Sequence, residues 1–263
     1  MLEDHFFLKN NVVNVDAAVV GVSKTSWKHI PEQGANDEQA QKSMAQHRFD
    51  VLPIVATDGA VKEYFHAKNW NDYSSIERKE IDYDDVMSFR TPLHSLIRGF
   101  AKEERLFYFL ANEDRIVGLV SVANLNCRQV RTFIFSLISD LEIRLSKFID
   151  SEMDETEILN FGVGTETETS YNSDKEKGLD PNLMEYLYLS DLINLIAKKR
   201  LFNMLGYESK KKFEHSLGRI NKLRNQAAHP TRSLITSADS VGKLWDKIEI
   251  IERCLFRLRQ TGR

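Results

Sequence analysis

Three side chains able to do chemistry stand close together in "INKLRNQAAHPTR", residues 220–232: Arg224, Asn225 and His229. An imidazole titrates near neutral pH and can take or give a proton. A guanidinium stays protonated, so it can only stabilise negative charge, and its fork fits phosphate oxygens. An amide can orient a neighbouring side chain or a ligand. Asn225 and His229 are four apart and share a helix face, with Arg224 one position round. Pro230 disfavours helical geometry at His229, which puts the imidazole at the rim of a helix that stops. Ala227 and Ala228 leave the backbone uncovered, open to another helix or to a substrate strand. Surface decoration and a catalytic edge both fit this much.

The elements that must hold this cluster are helical. "CRQVRTFIFSLISDLEIRLSKFI" (127–149) is apolar at 130, 133, 134, 137, 138, 141 and 145, a helix period. A long apolar helix is expected over 182–205, stopped by Gly206. Two more are expected over 212–229 and 237–260, the last opened by a Ser or Asp cap. Residues 150–181 are acidic and rich in Gly, Ser and Thr. They read as an inserted loop with one short helix near 154–160, mobile or ordered by a partner.

The first half changes period instead. "FDVLPIVATDGAVKEYF" (49–65) and "RLFYFLANEDRIVGLVSV" (105–122) each read as strand, turn, strand. Helical stretches precede them, at 37–47 and 92–104, so one pattern occurs twice. This half resembles a tandem pair of CBS motifs over roughly residues 10–128, a module that often binds adenine nucleotides. In that family a Ser or Thr ends the second hairpin strand, and an Asp three residues on holds ribose. Here Ser121 and Asn124 take those positions in the second copy, His66 and Asn69 in the first. The family glycine is Gly118 in one copy and Glu63 in the other. Asn offers one acceptor and a donor where Asp offers an anion, which weakens binding through ribose. A different nucleotide ligand, or two degenerate copies serving as a dimer platform, both stay open.

The second half resembles the HEPN family over roughly residues 130–260. "RNQAAH" matches its signature of Arg, a polar residue, three more and His, and "YLYLSDLINLI" (186–196) is similar to the helix that commonly faces it. The resemblance implies a metal-independent endoribonuclease acting as a symmetric homodimer. Cleavage by the 2′-hydroxyl needs a group to take its proton, one to assist the leaving 5′-oxygen, and a cation for the phosphorane charge. His229 is then acid, base or positioning group, Arg224 holds the phosphate and Asn225 orients the His or the RNA. Asp191, on the facing helix, is placed to pair with Arg224 or to act as a cap. A Tyr two residues beyond the His marks HEPN domains paired with nucleotidyltransferases; Thr231 stands there instead.

Composition agrees with this and narrows it. The net charge of −3 rules out a polycation that coats nucleic acid, so any such site is a local patch. "KKR" (198–200), "KKK" (210–212), Arg219, Lys222, Arg232 and "RLRQTGR" supply one. Cys127 and Cys254 lack metal-like spacing and suggest a reducing compartment. No apolar run approaches a membrane span, and "MLEDHFFLKN" lacks a signal peptide's basic and apolar regions. No Gly-rich phosphate loop, Cys-rich cluster or nucleophile elbow is present.

The expected architecture is α+β: a CBS pair over 1–126 and an all-α HEPN bundle over 127–263, the helix from Cys127 joining them without a linker. The expected activity is RNA cleavage at a composite dimer-interface site, without metal or catalytic cofactor. An adenine or other nucleotide on the CBS pair would regulate it, as in a stress-response or antiviral nuclease of the cytoplasm. The alternative is a non-catalytic nucleotide-sensing dimer whose HEPN half is an interaction module.

Overall fold

The computed structural model describes residues 15–69, 72–103, 105–237 and 239–261. The acidic N-terminal stretch and the start of the CBS resemblance lie outside the described residues, as do Trp70, Glu104, Ala238 and the last two residues of the basic tail. The chain is mixed α+β. It separates into two units: one runs to residue 130 and takes in 233–245, the other holds 131–232 and 246 onward.

The first unit opens with α1 (Ala17–Val20), β1 (Val22–Ser23), β2 (Ile30–Pro31), α2 (Asp37–His47), β3 (Val51–Val55), β4 (Val61–Asn69) and β5 (Asp72–Glu80). It continues with β6 (Val86–Ser88), α3 (Leu93–Lys102), β7 (Phe107–Asn112) and β8 (Arg115–Ser121). Two sheets result, ordered β2-β3-β4-β5 and β1-β8-β7-β6. In each, a strand pairs in parallel with the strand after a helix, which then pairs antiparallel with the next. The repeat read from sequence is thus a repeated β-α-β-β topology.

Local chemistry explains these elements. Asn36 starts α2 by accepting a hydrogen bond from the Gln39 amide at 2.9 Å. In α3 the buried Leu93, Leu96, Ile97 and Phe100 form one helical stripe. Gly59 reverses the first hairpin at φ +81°, and the Asp58 side chain accepts from the Ala60 amide at 2.8 Å. Apolar residues of both repeats, among them Val51, Tyr64, Phe107 and Phe109, share one core with Trp27. The repeats are also pinned through Asp85, which accepts from the Tyr64 hydroxyl at 2.9 Å and from Arg105 Nη1 at 2.6 Å.

Strand β5 has no counterpart among the sequence expectations. "DYSSIERKE" carries too few apolar residues to show a period, and it is a strand because β4 pairs along it. Tyr73 and Ile76 pack on the core beneath α2, and Gln41 Nε2 donates to the Tyr73 carbonyl at 2.7 Å. Residues 233–245 join this unit through Asn126, whose side-chain oxygen accepts from the amides of Leu234 and Ile235 at 2.8 and 3.0 Å.

The second unit is helical: α4 (Arg128–Glu152), α5 (Glu155–Phe161), α6 (Thr165–Glu176), α7 (Leu189–Lys199), α8 (Lys210–Ala228) and most of α9 (Asp239–Gln260). The acidic segment expected to be a loop after one helix contains two, α5 and α6. Most of its acids face solvent while Met153, Ile158, Thr167 and Tyr171 turn inward, too few apolar residues to be read as a stripe. Tyr171 donates to Glu155 Oε1 at 2.6 Å, tying α6 to α5, and Tyr186 donates to Asp174 Oδ2 at 2.8 Å, tying α6 to the residues before α7. The single helix expected over 182–205 is broken. Only Leu189–Lys199 is α-helical, and Arg200 ends it in the left-handed region at φ 63°.

Candidate functional site

Helix α8 begins where Ser209 caps the Lys212 amide at 3.3 Å, and it buries Phe213, Leu217, Ile220, Leu223 and Ala227 against its neighbours. It ends where expected, with His229 as C-cap in extended geometry before Pro230. That end is held by a residue the sequence reading passed over. Arg131, on α4 and only 8% exposed, donates from Nη1 to the carbonyls of Gln226 and His229 at 3.0 and 3.1 Å. Its Nη2 donates to the Arg232 carbonyl. One buried guanidinium thus satisfies carbonyls that a helix end leaves without partners, where a cation also complements the helix dipole. The His229 backbone is fixed as a result.

The three side chains of the cluster part company at this point. Arg224 is half-buried, and its Nε lies 2.8 Å from Glu142 Oε1 on α4. The distance is that of a hydrogen bond, but neither atom has an aligned hydrogen-bonding partner, so the contact is ionic. Burial raises the Glu142 carboxyl above its ordinary value of 4.5, with the Arg224 charge pulling the other way. Both residues line a groove of about 580 Å³ between α4 and the approach to α7, together with Ile143, Met184 and Tyr188. Asn225 and His229 are exposed and do not line it. One chain therefore presents an arginine in a groove and an exposed imidazole outside it, at the end of the same helix.

Asp191 does not pair with Arg224. It is buried; its Oδ1 accepts from the Gly164 amide at 2.9 Å, and its Oδ2 from Thr167 Oγ1 at 2.7 Å and the Tyr188 amide at 3.1 Å. It caps α7 and ties that helix to the start of α6, which corrects the pairing and keeps the cap. The basic runs are partly neutralised. Lys199 pairs with Glu157, Lys212 with Glu208, and Lys210 approaches Glu214 at 3.6 Å.

In the other unit, Ser121 donates from both its amide and Oγ to Asn124 Oδ1, at 2.7 and 3.0 Å. The two close a turn on each other. His66 is half-buried, its ring 5.5 Å from that of Phe107, whose partner in register is Ser121. Burial, then the nearby Lys79 charge, lowers its pKa below the ordinary value. Asn69 lies at the far end of β4, exposed, with Nδ2 3.4 Å from Asp72 Oδ2. The structure thus brings His66 to the Ser121 side of the core and sends Asn69 to a hairpin end.

Glu142 and Arg131 were the residues missed. A faint signal existed for Glu142, a carboxylate one step outside the apolar stripe of α4. Arg131 gave none. Among the described residues, no group of three or more His, Cys, Asp or Glu could hold a metal, and no helix is long and apolar enough to cross a membrane.

No family model and no curated protein matches this chain. Among solved structures, it is similar to the crystal structure of an uncharacterized conserved protein from Pyrococcus horikoshii. The match covers 43% of this chain and 89% of that one, at 17% identity and a TM-score of 0.33, too loose a likeness to carry an argument.

Proposed function

We propose that the helical unit is a HEPN-type, metal-independent endoribonuclease that works as a homodimer, and that the N-terminal unit is a CBS-like pair whose nucleotide ligand regulates it in the cytoplasm. The observation that carries the nuclease reading is the end of α8. There Arg224 turns into a groove against Glu142, and Arg131 fixes the backbone of His229 at the helix end. In this reading Arg224 holds the scissile phosphate, with Glu142 as its positioning residue. His229 exchanges the proton of the 2′-hydroxyl or of the leaving 5′-oxygen, and Asn225 orients the imidazole or the RNA. A second copy related by a two-fold axis adds its own Arg and His to the same cleft. The repeated β-α-β-β topology supports the CBS reading of the other unit.

The chemistry makes its own test. Attack by the 2′-oxygen on the adjacent phosphorus expels the 5′-oxygen and leaves a 2′,3′-cyclic phosphate. RNA incubated with the protein in EDTA is expected to yield such ends, and oligonucleotides with 2′-deoxyribose throughout to stay intact. Cleavage that needs a divalent metal, or that cuts DNA as well, contradicts the reading. The second reading, a nucleotide-sensing dimer without catalysis, is favoured by one observation: Arg224 already has a charged partner within its own chain.

A further inference from the structure

We propose that the Arg224 groove takes an unpaired nucleobase stacked on Tyr188, which makes its ligand single-stranded RNA. The choice of RNA rests on the ribonuclease reading; the choice of a base, and of this platform, rests on the groove itself. Tyr188 is 43% exposed, and Ile143, which lines the same groove from α4, is 54% exposed. An aromatic ring and an aliphatic side chain in one cleft make a slot for a planar ring.

The Tyr188 backbone is anchored at the head of α7. Its amide donates to Asp191, and its carbonyl accepts from the Asp191 and Leu192 amides at 2.9 and 3.1 Å. That anchoring fixes where the ring is presented, so the backbone beneath it need not be ordered on binding. Charge also selects the occupant. Glu142, Asp150 and Glu185 line the groove against Lys147 and Arg224. Beyond the one phosphate assigned to Arg224, only Lys147 is left in the groove lining to meet a run of phosphates. Carboxylates at the rim instead accept hydrogen bonds from the amino groups of a base. A duplex keeps its bases stacked inside and cannot offer one.

The probe is a 2′-O-methyl RNA oligonucleotide, which lacks the attacking hydroxyl, carrying 2-aminopurine at one position. Wild-type protein is expected to quench its fluorescence and to bind it in preference to the matching duplex. Tyr188→Ala should abolish the quench and weaken binding roughly 5- to 150-fold, the range for losing one stacked base, while Tyr188→Phe stays within about threefold. Should Tyr188→Ala fail to fold, photo-crosslinking of a 5-iodouridine version to the wild-type protein still decides, with the adduct expected on Tyr188. Binding unchanged in a folded Tyr188→Ala, an equally tight duplex, an adduct away from the groove, or no RNA bound overturns the proposal. Cleavage by wild-type protein with Tyr188-independent binding sinks this inference alone. Tyr188-dependent binding without cleavage sinks only the nuclease.

Discussion

Two turns of this chain carry polar side chains at family-like spacing, and the structure uses them differently. At Ser121–Asn124 the two residues satisfy each other within one turn. At Arg224–His229 the contacts run to another helix: hydrogen bonds from Arg131 to the backbone, and an ion pair between Arg224 and Glu142. A polar pair that closes on itself is explained by the local fold. A charged group drawn into a groove and met there by a half-buried carboxylate needs a further reason, because partial desolvation of both charges offsets much of their attraction. That asymmetry places the stronger functional case in the helical unit.

The sharpest way to break the comparison is through Arg131. Arg131→Ala strands carbonyls at the end of α8, and each buried unsatisfied group costs about 1–3 kcal/mol. A loss of roughly 3 kcal/mol or more in denaturant unfolding is expected, with faster amide exchange over 226–232. A loss below about 1 kcal/mol would show that the helix end does not depend on it. Glu142→Ala comes next. It leaves a half-buried guanidinium without its partner, for a loss of about 1–2 kcal/mol, and Glu142→Gln should recover part of that. At the other turn, Ser121→Ala removes one local cap and should cost only about 1 kcal/mol. A larger loss there would erase the contrast.

The smallest effect is in pH, and the two regions should respond with opposite sign. His66 has its pKa lowered by burial, so the unfolded chain binds that proton more readily. Its unit should keep full stability above the ordinary value of 6.5 and lose some as pH falls through it. Glu142 has its pKa raised, so the folded chain holds the proton more tightly. Its contribution should fall as pH rises through the window above 4.5. Amide exchange read separately over β3–β4 and α4–α8, in wild type, His66→Gln and Glu142→Gln, checks both signs.

How much of this was legible follows from where each interaction lives. The hairpins, α2, α3 and the stop of α8 at Pro230 rest on local signals: turn residues, an Asn cap, an apolar stripe, a proline. The short helix α5, opened by the Asp154 cap, is also local, but strand β5 and helix α6 are not, because their sequences are polar and their state is decided by what they pair with or by a few buried side chains such as Tyr171. The site divides along the same line. Arg224, Asn225 and His229 are neighbours in sequence and could be grouped from it. Glu142, Arg131 and the groove at Tyr188 are brought to them only by packing between helices. Asp191 shows the opposite hazard: a carboxylate on the right helix, already committed to Gly164, Thr167 and the Tyr188 amide.

The most direct measurement is the rate of RNA cleavage in EDTA by wild-type protein, Arg224→Ala and His229→Ala, each first shown to fold and to keep the wild-type subunit number. If the end of α8 is the reacting site, wild type cleaves and each variant loses activity by about a hundredfold or more, the scale for removing a proton-transfer group or an electrostatic stabiliser. Variants that cut as fast as wild type would contradict the account, as would a wild-type protein that cuts no RNA.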